Sequence, residues 1–232
     1  MSAASGIIGW QKYSFIDFPG TISTVLFFGG CNLRCPYCHN PDIVLNRFPE
    51  IPLTEITGYL DKRKGTVEGV VFSGGEPTLH ASLPETIALF RDAGFKIKLD
   101  TNGLNPDMVI RCSPDYLAVD LKTSFEKYSL LGCSLPDTGE RIERTLEIAR
   151  SMGQDAEVRI TVAPKITDDE SIRRMAEVLK GIHRVYLQPV QLNVPLLDPS
   201  FAENTPLTTE TIETFRKVIA EVVDYCEIRT ID

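Results

Sequence analysis

The sequence predicts an α/β fold built from parallel strand–helix units, and three observations indicate it. Six short apolar runs recur along the chain, and amphipathic stretches with helical spacing lie between them. The runs are nearly continuous in apolar residues, as in strands that are covered on both faces. Six units are too few for a closed eight-stranded barrel, so we expect an open partial barrel or an open parallel sheet.

Sites in parallel α/β folds form where the strands reach their carboxyl ends, so functional residues are expected at the strand ends. The predicted strands are Ile22–Phe28, Val67–Phe72, Phe95–Leu99, Tyr116–Leu121, Glu157–Val162 and Arg184–Pro189. The predicted helices are Leu83–Ala93, Thr138–Met152, Asp168–Lys180, Leu207–Tyr225 and part of Thr54–Lys64. Acidic residues at the start of Asp168–Lys180, and Gly181 after it, support that helix.

Length and charge limit the classes of protein that fit. The chain has 232 residues, which suits a single domain with a substantial core or at most two small domains. Its net charge of −8, without a basic stripe, argues against a general affinity for nucleic acid. Met1 to Gly9 lacks the charged-then-apolar pattern of a signal peptide, and the apolar runs are too short to span a membrane. We therefore expect a cytoplasmic protein without a membrane or nucleic-acid partner.

Three of the six cysteines lie close together after the first strand. Cys31, Cys35 and Cys38 form a C-x3-C-x2-C loop that is entered through two glycines. Thiolates are the usual ligands of iron–sulfur clusters, and three of them leave one iron of a cubane open to a substrate. A structural zinc site with His39 as fourth ligand is the alternative. The remaining cysteines have no ligand spacing and are read as ordinary small residues: Cys112, Cys133 and Cys226.

The end of the second strand combines two glycines with an acidic residue. In Ser73-Gly74-Gly75-Glu76-Pro77, the glycines let the backbone approach a ligand, and Glu76 could meet an ammonium group. The same string also makes a plain strand-to-helix turn. If the glycines serve a ligand, Gly75→Val should weaken its binding and spare a cluster on the cysteines, because the branched side chain would push the backbone away from the ligand.

Charged residues follow or occupy the next three strands. Asp100-Thr101-Asn102-Gly103 ends the third strand, although Asn-Gly is also a strong turn former. Asp120 and Lys122 end the fourth strand, where they could equally form a solvated pair. Arg159 lies in the fifth strand, and a buried guanidinium needs an anionic partner, for which Glu157 and Asp120 are candidates.

The cysteine loop resembles the signature of the radical S-adenosylmethionine superfamily, C-x3-C-x-aromatic-C, with Tyr37 in the aromatic position. The resemblance implies a partial (β/α)6 TIM-like barrel as a single domain. It also implies a [4Fe–4S] cluster on Cys31, Cys35 and Cys38 whose open iron takes the amino and carboxylate groups of S-adenosylmethionine. Tyr37 would lie near the adenine, and the Gly74-Gly75-Glu76 string resembles the motif that receives the methionine amino group.

Two further motifs resemble the enzymes that activate glycyl radical enzymes. Asp100-Thr101-Asn102-Gly103, together with Asp120-Leu121-Lys122, resembles the pyruvate formate-lyase branch. There, two aspartates hold a monovalent cation beside the methionine carboxylate, which implies that role for Asp100 and Asp120. An arginine in the position of Arg159 lies close to S-adenosylmethionine in these activases.

The amino-terminal motifs narrow the resemblance. The S-x-x-D-x-P-G string at 14–20 and Cys-His-Asn-Pro at 38–41 most closely resemble anaerobic ribonucleoside-triphosphate reductase activating proteins. This resemblance implies one domain over 1–232, with an extension at 1–20, a barrel core at 21–190 and a tail with a helix at 191–232. The implied cofactor-binding residues are Tyr37, Gly74, Gly75, Glu76, Asp100, Thr101, Asn102, Asp120, Lys122 and Arg159.

The implied activity is reductive cleavage of S-adenosylmethionine to a 5′-deoxyadenosyl radical, which then creates a glycyl radical on a partner enzyme. A flavodoxin or a ferredoxin would supply the electron. Two alternatives stay open. One is a radical enzyme for a small molecule, similar to 7-carboxy-7-deazaguanine synthase, and the other is a metal-binding module without catalysis.

Overall fold

The computed structural model describes residues 5–230 and contains an eight-stranded sheet whose strand order follows the chain. The six predicted strands are confirmed as β2 to β7, with ends that differ by at most two residues. The strands are β1 Ile7–Ser14, β2 Ser23–Phe28, β3 Gly69–Gly74, β4 Lys96–Thr101, β5 Tyr116–Asp120, β6 Ala156–Val162, β7 Arg184–Pro189 and β8 Tyr225–Ile228.

Helices follow the strands as predicted, with three differences, one of which is the additional short helix Pro41–Val44. Pro106–Cys112 is an additional helix, and the last helix ends at Ala220 because the chain then forms β8. The helices are α1 Pro41–Val44, α2 Leu53–Asp61, α3 Leu83–Asp92, α4 Pro106–Cys112, α5 Thr138–Met152, α6 Asp169–Leu179 and α7 Thr209–Ala220. Short 3₁₀ helices lie at Pro77–Leu79, Phe125–Leu131, Gly153–Asp155 and Pro199–Glu203.

Two strands extend the sheet beyond the six that the sequence predicts. β1 pairs with β2 in antiparallel orientation, so part of the expected extension at 1–20 belongs to the sheet. β8 lies in the tail and pairs with β7 in parallel orientation. Among the strands of residues 5–230, each has one neighbour and is partly exposed, so neither shows the continuous apolar run of a strand covered on both faces.

The chain divides into two compact units. The first comprises residues 5–31, 42–101 and 107–117 of the described chain and holds β1 to β4. In this unit β2, β3 and β4 are parallel neighbours. Its core includes a cluster of Phe18, Val25, Val71 and Tyr116, and it brings the carboxyl ends of β2 and β3 side by side.

The second unit comprises residues 32–41, 102–106 and 118–230 and holds β6 to β8, which are parallel. Ile142 and Leu146 of α5 are fully buried, as is Ile160 of β6. Asp168 begins α6 with a reciprocal capping box to Ser171, as the acidic start of this segment predicts.

The predicted domain extends from 1 to 232, and its first four and last two residues lie outside the described residues. Its internal boundaries at 20 and 190 stay a prediction. In the part of the chain that the structure describes, no helix combines the length and apolar character needed to cross a membrane.

Candidate active site

The predicted site residues fall into two groups, one in each unit, at or near strand ends. The first unit contains Cys31, Gly74, Gly75, Glu76, Asp100 and Thr101. The second unit contains Cys35, Tyr37, Cys38, Asn102, Asp120, Lys122 and Arg159.

In the first unit, backbone hydrogen bonds fix the segment that leads into Cys31. The Gly30 N–H donates to the Ile43 carbonyl at 2.8 Å, and the Gly30 carbonyl accepts from the Glu76 N–H at 2.9 Å. The Gly75 N–H also donates to the Phe28 carbonyl at 2.8 Å. The glycine string after β3 is therefore bonded directly to the backbone in front of the first cysteine.

This contact changes the role expected for the glycines. A Cβ on Gly75 would lie 1.9 Å from the Gly30 carbonyl oxygen. A Cβ on Gly74, whose φ is +111°, would lie 2.5 Å from the Phe28 nitrogen. Both positions need glycine because the backbone at the end of β2 and just after it passes against them. A side chain at position 75 would therefore displace the segment preceding Cys31.

Glu76 is held in one orientation by three hydrogen bonds. Its side chain is buried, with 1% of the residue exposed. One carboxylate oxygen accepts from the Thr78 N–H at 3.1 Å, the Thr78 hydroxyl at 2.6 Å and the Thr101 hydroxyl at 2.8 Å. Thr101 is predicted to contact the cofactor. In the structure it orients Glu76, the residue predicted to receive the methionine amino group.

Asp100 contacts a cation of the protein that the sequence reasoning missed. Its Oδ1 lies 3.0 Å from Nζ of Lys98, and its Oδ2 accepts from the Ser73 hydroxyl at 2.9 Å. The predicted strand Phe95–Leu99 contains two lysines, and the sequence does not show that Lys98 is buried while Lys96 is exposed.

His80 is a second residue that sequence reasoning passed over. Its Nε2–H donates to the Gly29 carbonyl at 2.9 Å, and its ring packs on Phe28 with centroids 5.1 Å apart. A Cβ on Gly6 would lie 2.2 Å from His80 Nδ1, so glycine there makes room for the ring. His80 therefore supports the glycines in front of Cys31.

We expect His80→Ala to lower the iron bound per chain without unfolding the protein. The substitution leaves the Gly29 carbonyl without this donor, at a cost of about 1–3 kcal/mol in the free energy of unfolding. Iron after anaerobic reconstitution and thermal unfolding measure the two effects. His80→Gln should restore part of the iron, and His183→Ala is the control because His183 pairs with exposed Asp224. If His80→Ala binds as much iron as the wild type, His80 does not support the cluster ligands through Gly29.

In the second unit, the rest of the cysteine loop is anchored by backbone bonds. The Arg34 N–H donates to the Leu131 carbonyl at 2.7 Å, and the Leu197 N–H donates to the Cys38 carbonyl at 2.9 Å. Tyr37 is 5% exposed and packs on Phe201, with ring centroids 5.9 Å apart. The loop conformation is thus defined by protein contacts.

Asn102 donates a hydrogen bond to this part of the cysteine loop, and the charge of Lys122 influences the Cys35 thiol. The Asn102 amide donates to the Asn32 side-chain oxygen at 2.7 Å. Burial raises the pKa of the Cys35 thiol, and the charge of Lys122 opposes that rise by favouring the thiolate. Burial would lower the pKa of Lys122, but Asp120 and Cys35 reverse this and raise it. Lys122 is therefore a cation beside a predicted cluster ligand.

Asp120 is the partner of Arg159. Its Oδ1 accepts from Arg159 Nε at 2.7 Å, and its Oδ2 lies 3.1 Å from Lys122 Nζ. Burial alone would raise the pKa of Asp120, but Arg159 and Lys122 outweigh burial and lower it to about 2. The stabilisation from this lowered pKa is complete above the unfolded value near 3.9 and is lost as the pH falls towards 2. The other candidate, Glu157, lies 3.6 Å from Arg229 instead.

The cysteine loop fits an iron–sulfur cluster by its donor set. All six cysteines are free thiols. Among residues 5–230, no three His, Cys, Asp or Glu side chains stand at the spacing of a single metal ion. That spacing is not required of cluster ligands, because each thiolate binds a different iron. His39, the fourth ligand of the zinc alternative, is half-buried, and burial lowers its pKa.

An α/β fold with three thiols in one loop at a strand end fits an iron–sulfur protein. The family comparison is more specific, because the Radical SAM superfamily matches residues 25–179. The chain belongs to the radical SAM superfamily. Members of this family use a [4Fe–4S] cluster and S-adenosylmethionine, so the chain is an enzyme of that class, as predicted.

Individual relatives indicate which enzymes of the superfamily this chain is similar to. A Methanocaldococcus jannaschii protein, provisionally named glycyl-radical enzyme activating enzyme, is 31% identical over 98% of this chain and 96% of its own length. The pyruvate formate-lyase-activating enzyme of Clostridium pasteurianum is 30% identical over 75% of this chain and 76% of its own length. A 7-carboxy-7-deazaguanine synthase of Methanopyrus kandleri is 29% identical over 75% of this chain and 74% of its own length. The resemblance to glycyl-radical activating enzymes is therefore confirmed.

The crystal structure of QueE from Escherichia coli shares the fold. It superposes with a TM-score of 0.53 at 19% identity, over 97% of this chain and 93% of that chain. The fold is thus the α/β partial barrel that the resemblance to the radical S-adenosylmethionine superfamily implies.

Proposed function

We propose that the protein is an activating enzyme that creates a glycyl radical on a partner of the anaerobic ribonucleotide reductase type. The observation that supports S-adenosylmethionine as the cofactor is the hydrogen bonding that joins Glu76 to the start of the cysteine loop. The Glu76 N–H is bonded to the Gly30 carbonyl, one residue before Cys31, and its carboxylate is held by Thr78 and Thr101. A carboxylate positioned in this way suits the ammonium group of S-adenosylmethionine beside a cluster.

The other predicted residues have complementary roles in this proposal. Cys31, Cys35 and Cys38 hold the cluster, and buried Tyr37 offers an apolar face to the adenine. Asp120 holds Arg159 and Lys122 in place, so their positive charges are available to the methionine carboxylate.

When bound and reduced, the cluster would supply the electron that cleaves S-adenosylmethionine. The 5′-deoxyadenosyl radical produced by this cleavage would remove a hydrogen atom from a glycine of the partner enzyme. We propose a flavodoxin or a ferredoxin as the electron donor. The protein's own part is to orient the cofactor and to exclude water from the reacting atoms. The Methanocaldococcus jannaschii relative matches 98% of this chain and is provisionally named glycyl-radical enzyme activating enzyme. This similarity supports a protein as the substrate.

The test is a glycyl radical signal in electron paramagnetic resonance. We expect the signal when this protein, S-adenosylmethionine and a reductant are mixed anaerobically with the ribonucleoside-triphosphate reductase of the same genome. Cys35→Ala serves as the inactive control. If S-adenosylmethionine is cleaved but neither this reductase nor other glycyl radical enzymes of the genome gain the signal, the proposed function is wrong.

A second candidate rests on the Methanopyrus kandleri relative. That relative carries the name 7-carboxy-7-deazaguanine synthase, so this chain could act on a small molecule instead. The Asp-x-Pro-Gly loop at 17–20 and Asp120-Leu121-Lys122 favour the activating enzyme. Formation of 7-carboxy-7-deazaguanine by the purified protein, without any glycyl signal, would favour the second candidate.

A further inference from the structure

Lys98 is a charged side chain in the interior of the first unit. Its side chain is 3% exposed, although it lies on β4 between the apolar residues Ile97 and Leu99. The ammonium donates to the Asp17 carbonyl at 2.6 Å and lies 5.7 Å from the centre of the Tyr116 ring. All of these contacts are within one compact unit.

The partner that matters is Asp100, which lies two residues further on and therefore on the same face of β4. Lys98 Nζ is 3.0 Å from Asp100 Oδ1, and the Ser73 hydroxyl donates to Oδ2. Oδ2 of this predicted cofactor-binding carboxylate thus accepts a hydrogen bond, and the contact that the structure shows at the buried Oδ1 is the ion pair with Lys98.

Stability alone does not account for a buried pair of this kind. Removing two charges from water is costly, and replacing such a pair with apolar residues often leaves a protein equally stable or more stable. Asp100, the partner of Lys98, is the penultimate residue of β4, at the strand end where the proposed cofactor site is located. A role for Lys98 in that site therefore explains the pair better than a role in folding.

We propose that Lys98 takes the place of the monovalent cation that the resemblance implies at Asp100. The Lys98 ammonium supplies the positive charge at this carboxylate. A free cation on Asp100 would stand close to the Lys98 ammonium, and the two positive charges would repel in a poorly solvated interior. Lys98 is thus a positioning residue that acts through Asp100. This inference rests on the proposed S-adenosylmethionine site but not on the identity of the protein substrate.

The second carboxylate predicted to hold the cation shows the same pattern in its own unit. Asp120 contacts Arg159 at 2.7 Å and Lys122 at 3.1 Å. Each of the two aspartates is therefore balanced by at least one side chain of the protein.

The test compares cations by thermal unfolding of the cluster-loaded full-length protein. We expect the wild type to have the same Tm and the same S-adenosylmethionine affinity in choline, sodium and potassium chloride at equal ionic strength. Lys98→Met leaves Asp100 open to a cation. Its Tm should rise by roughly 2–4 °C in sodium or potassium relative to choline, the shift expected for a ligand at several times its Kd.

The control is the double variant Lys98→Met/Asp100→Asn, which removes both charges and should show no cation dependence. Two results would overturn the inference. One is a wild type whose Tm or S-adenosylmethionine affinity depends on sodium or potassium, and the other is a folded Lys98→Met that remains indifferent to the cation. If Lys98→Met does not fold, the wild-type measurement alone decides. Because these readouts need no partner protein, a failed glycyl radical assay leaves them intact.

Discussion

We expect Gly75→Val to lose most of its iron and its affinity for S-adenosylmethionine together. The new Cβ would lie 1.9 Å from the Gly30 oxygen, and this oxygen also accepts the Glu76 N–H. Relieving the overlap must move the segment before Cys31 or break the bond to Glu76. Overpacking of this kind costs typically about 1–3 kcal/mol of the free energy of unfolding. Iron per chain and equilibrium dialysis with S-adenosylmethionine measure the two losses.

This expectation differs from the one that the sequence alone supports, in which Gly75→Val spares the cluster. Gly58→Val is a matched control, since a Cβ at Gly58 in α2 has nothing within 4 Å and valine is no worse than glycine in a helix. That variant should keep its iron and its affinity. Gly75→Val with a full cluster and weakened cofactor binding would show that the backbone at 75 serves the ligand alone.

The strands from β2 to β7 were predictable because burial on both faces produces continuous apolar runs. Their ends then located the strings at Gly74, Asp100 and Asp120 without any knowledge of long-range contacts. β1 and β8 were not predictable in the same way, because an edge strand has one neighbour and carries a mixed pattern. The extent of the sheet depends on pairing between distant segments, which periodicity does not report.

The site was predictable in its residues but not in its pairings. The sequence left Arg159 with two candidate partners, and only the structure assigns it to Asp120. His80 and Lys98 were missed for the same reason. Their roles arise from contacts with Gly29 and Asp100, and only the contact with Asp100 involves a residue that is close in sequence. Lys96 and Lys98 both lie in the predicted strand Phe95–Leu99, and only the structure shows which of them is buried.

The cysteine ligands give the largest expected effect of all. Cys35→Ala should abolish the cluster, because three thiolates in one loop are the minimum that holds three irons and leaves one open. Cys31→Ala and Cys38→Ala should do the same. Iron and sulfide per chain after anaerobic reconstitution measure the loss, and S-adenosylmethionine cleavage should be lost with it.

Cys112→Ala is the matched control for Cys35→Ala, since both thiols are buried, with 1% and 7% of the residue exposed. Burial raises the pKa of Cys112 to about 11, so this thiol stays protonated and is a poor metal ligand at neutral pH. Cys35 is buried too, but Lys122 lies beside it and favours the thiolate that iron requires. Arg111 and Arg91 favour the Cys112 thiolate in the same way, so the two substitutions remove similar side chains and differ in that only Cys35 lies in the C-x3-C-x2-C loop. If Cys112→Ala or Cys226→Ala loses as much iron as Cys35→Ala, the three-cysteine assignment is wrong.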